Sequence, residues 1–253
     1  MTELEPPTLY IFSISHYCEK ARWALDYAGL DYRIKFLPPG PHIAMLKKLG
    51  TERSSVPVLQ AGTQLIQGST AIVDWVVSQA SDKGKQLQPD ADQSLTKEIE
   101  ARVNKIAGVQ LRRYFYSEAI IDQPQMIKSI FTSQLSLIDR LKIYLAWGKI
   151  CRGMIRHMDL GPAQGIESMA ILATELDWLD SLLADGRKFF VGNRFSRVDI
   201  AVASLLSPIL LPPEHPVYNS LRLPPKMALQ VKDWETRPSL TWLRETYRGY
   251  RQA

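Results

Sequence analysis

Residues 8–29, TLYIFSISHYCEKARWALDYAG, have the pattern of a strand that leads through a turn into a helix. The first five residues are apolar and β-rich, which predicts a buried strand over residues 8–12. A helix pattern begins near Tyr17 and ends at Gly29, with small and apolar residues at helical spacing (Ala21, Ala24, Leu25 and Ala28). A strand that turns directly into a helix leaves the first N–H groups of the helix unpaired at the turn. This turn is therefore a candidate functional site.

The segments that follow continue the alternation of strands and helices over about 80 residues. We predict strands over residues 31–36, 56–59 and 64–66, with helices over residues 42–49 and 69–78. The element order is then β-α-β-α-β-β-α. This order predicts a four-stranded mixed sheet with helices on both faces.

The rest of the chain has a different organisation. Residues 81–93 are polar and contain Gly and Pro, which predicts a linker between domains. From residue 94 onward the pattern is helical, with segments at 94–120, 124–157, 166–183, 196–206, 227–234 and 239–249. We therefore divide the chain into an α/β domain (residues 1–80), a linker (81–93) and an all-helical domain (94–253).

Composition excludes several classes of function. Hydrophobic residues make up 45% of the 253 residues, and the net charge of +5 comes from basic residues dispersed among acids. Nucleic-acid binding normally needs a dense basic stripe, so it is not expected. No apolar stretch approaches the roughly 20 residues that span a bilayer. The two cysteines are far apart and the four histidines lack metal-ligand spacing, which indicates a metal-free protein of the reducing cytoplasm.

Four segments, taken in order, resemble one family. Residues 15–22 (SHYCEKAR) resemble the Cys-Pro-Tyr-Cys turn of glutaredoxins, with Ser15 in the first position, as several classes of glutathione transferase have it. Residues 55–59 (SVPVL) resemble the Val-Pro-x-Leu signature of that family, and residues 66–72 (IQGSTAI) its Ile-x-Glu-Ser-x-x-Ile element. Residues 195–200 (FSRVDI) are similar to its capping box and hydrophobic staple. The chain therefore resembles the soluble glutathione transferases.

The resemblance implies a thioredoxin-like α/β domain followed by an all-α domain, and glutathione as co-substrate. It implies that Val56, a cis Pro57, Gly68 and Ser69 bind glutathione, although the residues alone predict a trans bond because cis X-Pro is rare. It also implies a homodimer. Two positions depart from the family pattern: His16 replaces the proline of the glutaredoxin turn, and Gly68 replaces the usual acid.

The residues at the turn suggest how a thiol is activated. A helix N-terminus carries a partial positive charge, and a hydroxyl there can donate a hydrogen bond to a thiolate. Ser15 is the catalytic candidate, and its structural alternative is an ordinary helix N-cap. Tyr17 and Cys18 are secondary candidates; Cys18 is either a buried small side chain or a thiol whose pKa the helix start lowers. Arg112, Tyr114 and Tyr116 are candidates for a substrate pocket.

Three functions follow from these residues. The leading hypothesis is a detoxifying transferase that conjugates glutathione to small, largely apolar electrophiles. A glutathione-dependent thiol–disulfide oxidoreductase is an alternative, although Ser15 occupies the position where such enzymes have their nucleophilic cysteine. A non-catalytic binding module with the same fold is a further alternative, which Gly68 favours.

Overall fold

The protein is described by a computed structural model that covers residues 5–79, 86–91 and 93–251. The first part of the predicted linker, residues 81–85, lies outside the described residues. The second part lies against the helical domain. The Leu87 side chain is buried, and the Leu87 carbonyl accepts a hydrogen bond from Arg197 N–H at 2.8 Å.

The N-terminal domain is a four-stranded mixed sheet with the order β2-β1-β3-β4. Its strands are β1 (Thr8–Ile11), β2 (Arg33–Phe36), β3 (Val58–Ala61) and β4 (Gln64–Gln67). Strand β1 is parallel to β2 and antiparallel to β3, which is antiparallel to β4. The helices are α1 (His16–Ala28), α2 (His42–Leu49) and α3 (Ser69–Gln79). This topology confirms the predicted thioredoxin-like element order.

Alternation along the strands divides the apolar side chains between two layers, because successive side chains point to opposite faces. Leu9, Ile11 and Leu59 belong to the main core, to which α1 and α3 contribute. Val58 packs instead with Leu46 of α2 in a smaller cluster on the other face. Helices therefore cover both faces, as predicted.

The second domain is helical. Its helices are α4 (Gln93–Arg102), α5 (Gly108–Asp122), α6 (Pro124–Thr132), α7 (Leu137–Met158), α8 (Pro162–Leu183), α9 (Arg197–Leu210), α10 (Pro225–Trp234) and α11 (Pro238–Tyr250). Helix α9 is almost wholly buried and packs against α1, which places α1 between the sheet and the helical domain. The predicted capping box before α9 is present: the Asp199 carboxylate accepts hydrogen bonds from Ser196 N–H at 2.9 Å and Ser196 Oγ at 3.0 Å.

Two long helices predicted from the pattern are interrupted. The segment predicted as one helix over residues 124–157 is two helices, α6 and α7. The new helix begins after Ser136, whose Oγ accepts a hydrogen bond from Asp139 N–H at 3.2 Å and so caps α7. The segment predicted as one helix over residues 94–120 contains a π-helical turn at Val103–Ala107, between α4 and α5.

Ion pairs join the two domains where α1, α3, α4 and α9 meet. Arg197 makes a bidentate pair with Glu100 at 2.8 and 3.0 Å, and reaches Asp74 of α3 at 2.6 Å. The buried Lys20 ammonium donates to Thr70 Oγ1 at 3.2 Å and to Asn104 Oδ1 at 3.3 Å. Burial lowers the pKa of Lys20 to about 8, while the Glu100 carboxylate opposes that shift.

The first turn of α1 is hydrogen-bonded to the π-helical turn and to the residue that follows it. Gly108 N–H bonds to the Val103 carbonyl rather than to that of Asn104, as a wider turn requires. The Asn104 carbonyl accepts the Tyr17 hydroxyl at 2.7 Å, and the Gly108 carbonyl pairs with His16 Nε2 at 3.0 Å. These two hydrogen bonds fix the start of α1 against the helical domain.

Close approach at this junction requires a glycine at position 108. A Cβ on Gly108 would lie 2.9 Å from Tyr17 Oη and 3.3 Å from Leu205 Cδ2. Gly→Ala in a helix interior ordinarily stabilises by up to about 1 kcal/mol. We predict that Gly108→Ala instead lowers the free energy of unfolding by about 1–3 kcal/mol, because the added methyl displaces the Tyr17 hydroxyl.

Urea denaturation measures this effect, and Gly148→Ala is its matched control. Gly148 lies in the middle of α7, where an added Cβ meets only Arg152 Nη1 at 3.7 Å. The control should keep or raise the denaturation midpoint. A Gly108→Ala variant as stable as the wild-type protein would show that the junction tolerates expansion.

Candidate functional site

A cavity of about 670 Å³ opens between the two domains, within the size range of small-molecule sites. The N-terminal domain contributes the start of α1, the loop before α2 and the loop before β3 to its wall. The helical domain contributes α5, α6, α7 and the segment after α9. Most of the wall is apolar, with Phe12, Ile14, Phe115, Phe131, Ile150, Met154, Met158, Pro208 and Leu221 among the lining residues.

Ser15 lies at the edge of this cavity as the N-cap of α1. Its backbone is extended (φ −77°, ψ 118°), and its Oγ accepts a hydrogen bond from Cys18 N–H at 3.4 Å. A hydroxyl has one proton to donate as well as lone pairs to accept with. Among the described residues, no oxygen or nitrogen atom accepts a hydrogen bond from this hydroxyl, and the acceptor that remains nearby is a weak one, the Cys18 sulfur. Ser15 can therefore cap the helix and donate into the cavity at the same time.

The other hydroxyl groups near the turn already donate hydrogen bonds to acceptors within the protein. Tyr17 lines the cavity, but its hydroxyl donates to the Asn104 carbonyl at 2.7 Å. The Ser13 hydroxyl donates to the Ile130 carbonyl of α6 at 3.1 Å, and that of Tyr10 to Gln60 Oε1 at 2.9 Å. Within the described turn, Ser15 is thus the hydroxyl that is available to a ligand.

Cys18 is buried, with 1% of its surface exposed, and does not line the cavity. Burial raises the pKa of its thiol to about 12, although the hydrogen bond with Ser15 opposes the shift. The expectation that the helix start lowers this pKa is therefore wrong, because desolvation outweighs the helix dipole. The side chain fits the alternative prediction of a small buried core residue.

Of the four residues predicted to bind glutathione, one lines the cavity, and the chain and a backbone hydrogen bond connect the other three to it. Val56 lines the cavity, and the Val56–Pro57 peptide bond is cis, as the resemblance implied. Gly68 N–H donates to the Pro57 carbonyl at 2.9 Å, and the Gly68 carbonyl accepts Ile72 N–H at 3.0 Å. Ser69 begins α3 and is buried. Pro57, Gly68 and Ser69 do not line the cavity.

Two of the three predicted pocket residues on α5 line the cavity. Arg112 and Tyr116 do, and Phe115 joins them. Tyr114 does not: it is buried in the core, and burial raises its pKa to about 12. The prediction that Tyr114 lines the pocket is therefore corrected. Tyr114 is two residues from both Arg112 and Tyr116, and residues two apart on an α-helix project about 200° apart.

Two histidines of the site were missed from sequence. His16 lines the cavity, and its Nε2 must carry the proton that bonds the Gly108 carbonyl. Burial, followed by the charge of Arg112, lowers the pKa of His16 to about 3, so the ring stays neutral near pH 7. His42 of α2 also lines the cavity, and its Nδ1 accepts Gly40 N–H at 3.0 Å. For His16 the sequence did contain a signal, because this residue stands where the glutaredoxin turn has a proline.

Within the described residues, no group of three or more His, Cys, Asp or Glu side chains is arranged to hold a metal ion. The same part of the chain contains no helix of the length and apolarity that crossing a membrane needs.

Comparison with known proteins agrees with this geometry. Residues 9–84 match the family model "Glutathione S-transferase, N-terminal domain". A curated relative is glutathione S-transferase A3 of Mus musculus, which is 23% identical over 202 residues. That match covers 79% of this chain and 72% of the mouse protein.

Solved structures share the fold over nearly the whole chain. The theta class glutathione S-transferase from Xanthomonas axonopodis pv. citri, solved with glutathione bound, aligns at a TM-score of 0.57 with 18% identity, covering 98% of this chain and 99% of that one. Beta-etherase LigF from Sphingobium aligns at a TM-score of 0.58 with 17% identity, covering 95% and 99%. The N-terminal part of the chain, residues 9–84, therefore matches the glutathione S-transferase N-terminal domain, and the whole chain has the two-domain fold of these solved structures.

Proposed function

We propose that this protein is a glutathione transferase that conjugates glutathione to small, largely apolar electrophiles and so detoxifies them. The observation that carries this proposal is the Ser15 hydroxyl, which lies at the N-terminus of α1, faces an apolar cavity and has a proton to donate. A free thiol has a pKa of about 8.5, so only a small fraction is thiolate at neutral pH. A hydroxyl donor and the unpaired N–H groups of α1 both favour the thiolate of a bound thiol.

In this proposal glutathione binds along Val56 and the N-terminus of α3. The backbone at Val56, before the cis Pro57, offers hydrogen bonds to the cysteinyl unit, and the N-terminus of α3 at Ser69 favours the γ-glutamyl carboxylate. The apolar wall formed by α5, α6 and α7 then receives the electrophile beside the sulfur.

The oxidoreductase alternative lacks a nucleophile. The first position of the turn is Ser15, and Cys18 is buried with the pKa of its thiol raised to about 12. The alternative of a non-catalytic binding module is supported by Gly68, which provides no side chain for the glutathione ammonium. Conjugation of a generic electrophile, measured together with glutathione-binding calorimetry, distinguishes the transferase from the binding module.

Ser15→Ala tests the proposed donor. We expect kcat/KM for conjugation to fall by about 10²-fold, or roughly 2.7 kcal/mol, because the donor acts on the anion and not on the neutral thiol. Glutathione affinity should change much less. Ser15→Thr, which keeps both the hydroxyl and the cap, is the matched control and should retain most of the activity.

Thermal melting separates catalysis from capping, since loss of an N-cap alone costs about 1 kcal/mol. Unchanged turnover in a folded Ser15→Ala protein would refute the donor role. A drop in activity explained by unfolding of the variant would refute it equally.

Gly68 leads to a prediction about affinity. A hydrogen bond to a charged group is worth about 1.5–3 kcal/mol, so without an acid here glutathione should bind roughly 10- to 150-fold more weakly than in relatives that have one. Gly68→Glu should not restore this affinity. Position 68 has φ +100°, and an L-residue there is strained by about 1–2 kcal/mol even though a Cβ would meet no atom within 4 Å.

Calorimetry and thermal melting of the two proteins check this expectation. Gly62→Glu is the matched control, because Gly62 also has positive φ (+59°) and open space but lies in the β3–β4 turn. Tight glutathione binding by the wild-type chain, or a tenfold gain in the Gly68→Glu variant with unchanged stability, would contradict the prediction.

A homodimer belongs to the same proposal, with α3 and α4 of each subunit at the contact. Closed twofold dimers are the commonest soluble oligomers. Sedimentation equilibrium at micromolar concentration should give twice the chain mass of 28.7 kDa. A single species at the chain mass would refute the dimer.

A further inference from the structure

The wall of the cavity carries positive charge without a compensating acid. Its described lining residues include Arg112 and Lys149 but neither Asp nor Glu. Lys149 is exposed, whereas Arg112 is half-buried on α5. A concave apolar site with one sign of charge attracts ligands of the opposite sign.

Arg112 stands apart from its neighbour Arg113. The Arg113 guanidinium is paired with Asp159 and, at 2.6 Å, with Glu167. Among the described residues, Arg112 has no carboxylate within ion-pair distance, and its Nε is buried without a hydrogen-bond partner. A buried donor left unsatisfied costs about as much as a lost hydrogen bond, and more when the group is charged.

Arg112 lies on α5 near the residues that contact the start of α1. It lies one helical turn beyond Gly108, whose carbonyl holds His16, and one turn before Phe115 and Tyr116. Its charge also lowers the pKa of His16, which follows Ser15 in the chain. On α5, Arg112 therefore lies between the residue whose carbonyl holds His16 and the aromatic residues of the cavity wall.

We propose that Arg112 binds a carboxylate of the second substrate, so that the preferred electrophile is an amphipathic organic acid with an apolar body. This inference rests on the proposed transferase function and names its substrate class. A guanidinium presents a planar fork of N–H donors that matches a carboxylate in bidentate geometry. The apolar part of the same molecule would lie against Phe115, Phe131 and Met154.

The test compares two electrophiles that differ in charge, 4-chloro-3-nitrobenzoate and 4-chloro-3-nitrobenzamide. In both, the glutathione thiolate attacks the ring carbon that bears chlorine; the C–S bond forms, the C–Cl bond breaks, and chloride leaves with its electron pair. The thiol proton passes to solvent. Each enzymatic kcat/KM is divided by the uncatalysed rate constant, because the two rings differ in intrinsic reactivity.

We expect the wild-type protein to favour the benzoate. Arg112→Gln should lower the normalised kcat/KM for the benzoate by at least about 10-fold and change that for the benzamide by less than threefold. The variant should melt at or above the wild-type temperature, because it removes an unpartnered charge. Arg113→Gln makes the same change of charge on the same helix outside the cavity, and should leave the preference for the acid intact.

Two results would overturn the proposal. An equal loss for both electrophiles in Arg112→Gln would mean that the side chain has no role in recognising charge. A raised KM for glutathione with an unchanged preference for the acid would mean that Arg112 binds a carboxylate of glutathione instead.

A binding measurement keeps the proposal testable if no conjugation occurs. Calorimetry with the unreactive pair 3-nitrobenzoate and 3-nitrobenzamide reports the anion site without turnover. A preference for the acid that disappears in Arg112→Gln would support the site even if the transferase proposal failed. No preference in the wild-type protein would overturn the site.

Discussion

The first turn of α1 is held by two hydrogen bonds to a π-helical turn of the other domain, and the candidate site depends on that contact. His16 Nε2 bonds the Gly108 carbonyl at 3.0 Å, and the Tyr17 hydroxyl bonds that of Asn104 at 2.7 Å. With these two side chains turned toward the helical domain, Ser15 lines the cavity, where its hydroxyl has the weak Cys18 sulfur as its acceptor in the protein and can donate to a ligand instead. The same contact brings α5, and with it Arg112, next to the helix N-terminus.

Burial decides which groups at this turn remain reactive. The Cys18 thiol has the same helix N-terminus as Ser15 but lies behind it in the core, where desolvation raises its pKa to about 12. The His16 ring is kept neutral for the same reason. A hydroxyl needs no ionisation to donate a hydrogen bond, so Ser15 is the group at the turn that burial leaves functional.

Much of the fold could be predicted because local pattern determines it. The β-rich run over residues 8–12 and the helical spacing up to Gly29 predicted the strand–turn–helix unit, and Ser196 with Asp199 predicted the start of α9. The break before α7 was missed although Ser136 and Asp139 carry a capping pattern. The π-helical turn has no such signal, because a single wider turn hardly alters the apolar period of a helix.

The site was less predictable than the fold, because it depends on which way side chains project and what they meet. Arg112 and Arg113 are adjacent and chemically identical, yet one faces the cavity and the other is paired with Asp159 and Glu167. Likewise, Tyr116 lines the cavity whereas Tyr114 is buried in the core. The orientation of α5 distinguishes them, because this helix packs on α8 and reaches the start of α1 through Gly108. The partners of each residue come from segments far away in sequence.

If the N-terminus of α1 stabilises a thiolate, the pKa of bound glutathione must fall. The ultraviolet absorbance of the thiolate, followed against pH at saturating protein, gives this value without any electrophile. We expect a bound thiol pKa at least about one unit below the free value of roughly 8.5, with most of the shift lost in Ser15→Ala. A bound thiol that titrates like free glutathione would contradict it.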